Sequence, residues 1–322
     1  MKKFSTRMTL LVVLCIFAIA SISCGLQPKV EITPEIQKEI EEYNKTADKN
    51  GNTIIDMSKN PYFMEKQEGC TYQSVDTITY YSDVTKTKRH AGILLPNNYN
   101  KDKKYPVLYM LHGLGGSHKT WKNKGADIII QNLQYFEGTA DMIVVFPNSA
   151  LNEDESVDGL SLVEQAKVYD KTEEDLVNNL MPYINEHYAV STKRQDTAIV
   201  GNSMGGRNTL YTAFKHQKLF GYVGAFSSSH VLKNSQSSSI LPSLLEDFVL
   251  DDNLEPFDIT LCVGKQDNVC GGESYIIHDR MVQNGIKHVF YDMDGGHQNV
   301  VWQNALYNFV KHIFVDKEEQ SN

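Results

Sequence analysis

Only five cysteines occur among the 322 residues, and two of them fall within the first 24. That scarcity excludes a small scaffold stapled by several disulfides. No Cys/His spacing suggests zinc, so no metal is expected. No strong basic run interrupts the body of the chain. With a formal net charge of −9, nucleic acid is not an expected partner. No internal repeat is visible, so a repeat architecture is not expected. What is present is ordinary globular composition, 41% hydrophobic and 22% charged. A chain of this length buries a large core.

The first residues read as a processing signal. Lys2, Lys3 and Arg7 form a basic leader, and Met8 to Ala20 an apolar run. The run is shorter than the ~20 residues a spanning helix needs, which favours an export signal over a permanent anchor. Ser21-Ile22-Ser23-Cys24-Gly25 then resembles a bacterial lipoprotein signal. That resemblance implies removal of residues 1–23 and lipidation of Cys24. Ser21 departs from the aliphatic residue usual there, and ordinary cleavage near Ala20 is the rival. Both readings place the mature protein outside the cytoplasm, secreted or at the cell surface. Membrane contact is then through an N-terminal lipid alone. Cys70, Cys262 and Cys270 remain, enough for one disulfide and a left-over thiol. Cys262 lies in a strand-like run and reads as a buried free thiol.

Residues 24–65 are polar and read as a tether with a short helix, capped at Thr33-Pro34-Glu35 and ending near Asn44. Asp48, Asn50 and Asn52 imitate the start of a calcium loop. Thr53 and Lys59 stand where that loop needs Gly and Glu, so a solvated turn is expected. Residues 66–316 read as one catalytic domain, followed by a polar tail, 317–322. Ile93-Leu94-Leu95-Pro96 ends a strand. Apolar runs at 106–111, 142–146, 198–200, 222–226, 259–263 and 288–291 read as further strands. Helical patterns lie between them, including Leu176, Leu180 and Ile184 at four-residue spacing, with Pro182 expected to bend that helix. Another helix is expected around Val300 to Phe314. The alternation predicts an α/β fold, a mostly parallel sheet with helices on both faces.

Gly201-Asn202-Ser203-Met204-Gly205-Gly206 matches G-x-S-x-G, between the strand 198–200 and a helical run, Asn208 to Lys215. Such a serine stands exposed on a sharp strand-to-helix turn, where nucleophilic attack is possible. The oxyanion so formed needs two backbone N–H donors. Met204, directly after the serine, supplies one. Leu114, in the glycine-rich loop Leu111-His112-Gly113-Leu114-Gly115-Gly116, supplies the other. His112 reads as a loop-shaping residue. The base is expected at His297, in Asp294-Gly295-Gly296-His297-Gln298, between the last strand and the last helix. His230 is a rival. His288 reads as structural and His312 as a surface residue. Asp267, after the strand 259–263, is expected to orient His297. Asp292 and Asp294 are the rival acids.

Together these residues, with Trp121, Asp175-Leu176, Leu180-Met181-Pro182-Tyr183-Ile184, Gly264 and Trp302, resemble the esterase D-like family of α/β hydrolases. The likeness spans residues 70–315 and is strongest to the carbohydrate-esterase branch of feruloyl and acetylxylan esterases. It implies an α/β-hydrolase fold, no cofactor, and a Ser203, Asp267, His297 triad with Leu114 and Met204 as oxyanion donors. It further implies an ester substrate, feruloylated or acetylated xylan or its oligosaccharides. Trp121 and Trp302 are candidates for substrate binding, and Trp302 is also expected to pack behind the histidine loop. Gln298 replaces the Asp frequent after the family's histidine. The 149–170 and 227–250 loops are placed to build the pocket. Other readings are an esterase for a siderophore lactone, an acyltransferase, or a surface lipoprotein that only binds.

Overall fold

The computed structural model of the chain describes residues 61–233, 240–255 and 257–315. The leader, Cys24, the helix expected from Thr33, the Asp48–Asn52 turn and the polar tail lie outside the described residues.

Eight strands form one sheet: β1 Asp76–Ser82, β2 Thr87–Leu94, β3 Val107–Leu111, β4 Ile143–Pro147, β5 Thr197–Asn202, β6 Tyr222–Phe226, β7 Asp258–Gly264 and β8 Val289–Met293. Their spatial order is β1-β2-β4-β3-β5-β6-β7-β8. The β1–β2 and β2–β4 pairs are antiparallel, and every pairing from β4 to β8 is parallel. This is the doubly covered sheet that the apolar runs predict. β3 shows why: all five residues are buried, with Val107, Tyr109 and Leu111 entering one core and Leu108 and Met110 the other. Sequence reading missed β1, whose apolar content is low. Only Ile78, Tyr80 and Ser82 turn inward, because this edge strand is covered on one face.

The helices are α1 Thr120–Asn123, α2 Ala126–Glu137, α3 Leu162–Tyr169, α4 Thr172–Asp175, α5 Met181–His187, α6 Met204–Lys215, α7 Gly271–Gln283 and α8 Asn299–His312. Leu210 and Phe214 of α6, with Ile277 and Met281 of α7, share a core with one sheet face. Ile129 and Leu133 of α2, with Val301, Leu306 and Phe309 of α8, cover the other. Each fully buried Leu, Ile, Val or Phe contributes roughly 1.5–3 kcal/mol from leaving water. Phe63, in the short turn Pro61–Met64, meets Tyr307 edge-on at 4.9 Å, so its side chain already packs on the domain ahead of residue 66. Pro182 does not sit mid-helix as a simple kink. A π-turn, Leu176–Leu180, precedes it, and Pro182 occupies the first turn of α5. There a missing N–H costs least, and the wider turn absorbs the ring.

The register brings the C-terminal ends of the central strands level: Leu111 faces Gly201, Asn202 faces Phe226, and Phe226 faces Cys262. The loops that follow these strands therefore emerge on one edge, where parallel α/β sheets place their sites. Cys70, Cys262 and Cys270 are all free thiols, so the disulfide the sequence allows is not formed. Cys262 is locked in the pleat of β7 and Cys270 opens α7, both buried. No described helix is long and apolar enough to cross a membrane.

Several histidines are buried uncharged. His278 donates to His288 at 2.6 Å and stacks on Phe290. Burial, with His288 beside it, holds His278 down at about 3. Burial likewise lowers His288, and lowers His112 to about 4. An unfolded chain protonates its histidines near ~6.5, before these can, so stability falls as pH falls below that value. Asp279, raised to about 6 by burial, works in the opposite sense because the folded state takes its proton first. We expect the melting temperature to drop between about pH 7 and pH 5, and His278→Phe to flatten the slope. An unchanged slope in the variant would contradict the assignment.

Candidate active site

Ser203 joins β5 to α6. Its φ of 56° and ψ of −122° lie outside the regions that L-residues favour. Three backbone hydrogen bonds hold it there. Its N–H donates to Phe226 O at 2.9 Å, and its carbonyl accepts from Arg207 N and Ser229 N, both at 3.1 Å. The flanking glycines are steric requirements. A Cβ on Gly205 would stand 2.6 Å from His112 O, and one on Gly201 would strike the Gly205 carbonyl. The helix begins at Met204, earlier than the run from Asn208 suggests, because the turn itself starts it.

His297 lies in the loop between β8 and α8 and meets both partners. Its Nε2 is 2.9 Å from Ser203 Oγ, and its Nδ1 is 2.9 Å from Asp267 Oδ2. A carboxylate only accepts, so Nδ1 carries the proton and Nε2 accepts from the serine hydroxyl. Asp267 follows β7, with its side chain fully buried. Its other oxygen accepts from Val269 N at 2.9 Å and Cys270 N at 2.8 Å. Burial opposes its ionisation. The His297 hydrogen bond, the Cys270 N–H and the histidine charge outweigh that cost and hold the carboxyl at about 2.

The loop after β3 lies against Ser203: a Cβ on Gly113 would be 3.3 Å from the serine Cβ. Its geometry is set by one carbonyl. Gly113 O accepts from His112 Nδ1 at 2.8 Å, Gly116 N at 3.1 Å and Tyr169 Oη at 3.3 Å. In a planar trans peptide the next N–H points the opposite way, so the Leu114 N–H faces away from those donors. His112 Nε2 accepts from Ser149 N at 2.9 Å, tying this loop to the segment after β4. His112 is thus a buried, neutral loop lock. Met204 N–H, first in its helix, has no intrahelical acceptor. The helix dipole adds positive potential there.

The rival residues are engaged elsewhere. His230 is buried between Glu273, 3.1 Å from its Nδ1, and Ser243, 2.9 Å from its Nε2. His312 ends α8 half-buried. Asp292 accepts from Tyr275, and Asp294 is exposed beside Lys265. Two tryptophans need correction as substrate-binding candidates. Trp121 is 1% exposed and donates to Leu111 O at 2.9 Å, which anchors it in the core. Trp302 is 8% exposed and packs edge-on behind His297, ring centroids 5.0 Å apart. Among the described residues no group of His, Cys, Asp or Glu could hold a metal.

A family model described as "Putative esterase" matches residues 82–313. The chain belongs to that esterase family. Its structure is similar to a ferulic acid esterase of Anaeromyces mucronatus, with a TM-score of 0.69 and 30% identity, over 79% of this chain and 95% of that one. An S-formylglutathione hydrolase of Staphylococcus aureus, 19% identical with a TM-score of 0.57 over 74% of this chain and 98% of that one, shares the α/β-hydrolase fold. An endo-1,4-beta-xylanase/feruloyl esterase of Xylanibacter ruminicola is 27% identical over 178 residues, 53% of this chain. The chain matches 24% of that protein's length. Within this family the arrangement above is that of a carboxylic ester hydrolase.

Sequence reading missed other parts of this esterase's site. Cys270 Sγ lies 4.0 Å from Ser203 Oγ and 3.3 Å from Ser229 Oγ. Burial pushes its thiol up to about 11, so it stays neutral. Arg207 is fully buried on α6. It donates to His230 O at 2.7 Å and Pro242 O at 2.6 Å, and pairs with Asp170. It thereby ties the 227–250 loop to the end of α3, a helix within the stretch 149–170 expected as loop, and Ala150, Val157, Ala166, Tyr169 and Leu241 share a cluster with Met204. No motif announces this arginine. Asp267→Asn keeps the shape but puts an amide N–H where His297 needs an acceptor. We expect kcat to fall by about 10⁴ with little change in KM. Wild-type turnover in that variant would remove Asp267 from the mechanism.

Proposed function

We propose that this protein is an exported serine carboxylesterase that releases acyl groups from plant cell-wall polysaccharides through an acyl-enzyme. The observation that carries it is the single imidazole, His297, within hydrogen-bond reach of both Ser203 and Asp267. His297 takes the Ser203 proton as the oxygen attacks the ester carbonyl. Met204 and Leu114 N–H groups receive the oxyanion. Asp267 stays ionised and stabilises the imidazolium. The imidazolium then protonates the departing alcohol, and water repeats the sequence to free the acid. No step calls for a cofactor.

The substrate reading is feruloylated or acetylated xylan or its oligosaccharides. It is supported by the similarity to ferulic acid esterases and by the leader, since a polymer must be met outside the cell. Lipidation at Cys24 would hold the enzyme at the membrane surface.

Three measurements test this. A fluorophosphonate probe should label the wild type and leave Ser203→Ala unlabelled, and methyl ferulate or acetylated xylan should be hydrolysed. Labelling that survives in the variant would mean a different nucleophile. Cys24→Ser should move the protein from the membrane fraction to the medium or soluble fraction. An unchanged distribution would argue against a lipid anchor.

A further inference from the structure

Behind the histidine loop stands a lysine that the mechanism does not use. Lys124 caps α1, and its ammonium lies 3.8 Å from the centroid of the Trp302 ring and 5.2 Å from that of Trp121. Among the described residues no carboxylate pairs with it. Burial lowers the ammonium to about 8, so the charge is costly where it stands. The two rings are its specific partners, and a cation over a desolvated indole face is attracted by the ring quadrupole.

The indole of Trp302 needs such a partner. Its Nε1 is buried without a hydrogen bond among the described residues, so no polar contact sets its orientation. Yet that ring forms the back wall of His297, at 5.0 Å and 85°. The chain continues in both directions. Trp121 is fixed to the end of β3 through Leu111 O, and Lys124 O accepts from Gln303 Nε2 at 2.7 Å, next to Trp302. A line of contacts thus runs from β3 through Trp121, Lys124 and Trp302 to the imidazole.

We propose that Lys124 is a positioning residue for His297, acting by holding the Trp302 indole against the back of the imidazole. The inference rests on the esterase reading, with His297 as base. The imidazole must keep its place while it alternates between neutral and charged forms, and Asp267 fixes only its Nδ1 side. The indole packed edge-on against it stops the ring from tilting away from Ser203 Oγ. Misplacement of a catalytic group by an ångström costs up to a hundredfold in rate.

Lys124→Met keeps the length of the stem and removes the charge, and Lys124→Arg keeps a cation over the ring. We expect the Met variant to lose roughly tenfold or more in kcat with KM nearly unchanged. Its melting temperature should hold or rise, because a buried charge has gone. The Arg variant should recover most of the rate. Wild-type kcat in Lys124→Met overturns the proposal, as does a loss that follows a falling melting temperature in both variants. Should Lys124→Met not fold, the series Trp302→Phe and Trp302→Leu reads the same wall. Phe should retain more kcat than Leu, and equal rates in the two overturn the proposal. Fluorophosphonate labelling separates the two levels of inference. An unlabelled wild type defeats the esterase reading itself. A labelled wild type matched in rate by Lys124→Met defeats the lysine's role alone.

Discussion

At Ser203 the backbone leaves β5 and enters α6 through a φ of 56°. A non-glycine residue in such a region costs of order 1–3 kcal/mol. The cost is offset locally by the bonds to Phe226, Arg207 and Ser229 and by packing that only glycine permits at positions 201 and 205. The return is a half-buried hydroxyl on a rigid turn, one residue before an N–H with no intrahelical acceptor and at the positive end of a helix. Every other feature of the site is arranged around that point.

The arrangement depends on parallel strands ending level. β3 delivers the Leu114 peptide, β7 delivers Asp267, and β8 delivers His297 to the same sheet edge. Each loop is then set by bonds that do not involve a substrate. The Gly113 carbonyl is engaged on three sides, the Asp267 carboxylate takes two backbone N–H groups, and Arg207 ties the 227–250 loop to the end of α3. Polar groups are thus oriented before reaction, which is what electrostatic stabilisation of a developing oxyanion requires.

Much of this could be read from residue order. Strands buried on both faces announce themselves as apolar runs, and a strand–Gly–x–Ser–x–Gly–helix sequence carries its own steric logic. Asp267 and His297 were accessible because each follows a recognisable strand. What could not be read has physical causes. β1 is half exposed and lacks a continuous apolar run. The π-turn before Pro182 depends on how a helix repairs a missing N–H. Trp121 and Trp302 carry equally good signals for a pocket and for a core, and only packing separates them. The partners of Arg207, Lys124 and Cys270 are distant in sequence, so no spacing betrays them. The disulfide was a matter of counting, and three thiols held on separate elements do not meet.

The leader and the pocket bear on where and on what such an enzyme acts, while the triad bears on how. The how follows from hydrogen bonds among three side chains, of which Asp267 is fully buried. That chemistry passes through a covalent intermediate on one oxygen. Mass spectrometry of the enzyme quenched during turnover of an aryl ester, followed by peptide mapping, reads it directly. The acyl mass is expected on the peptide that carries Ser203. An acyl group on the neighbouring Cys270, or none at all under conditions of fast acylation and slow water attack, would contradict it.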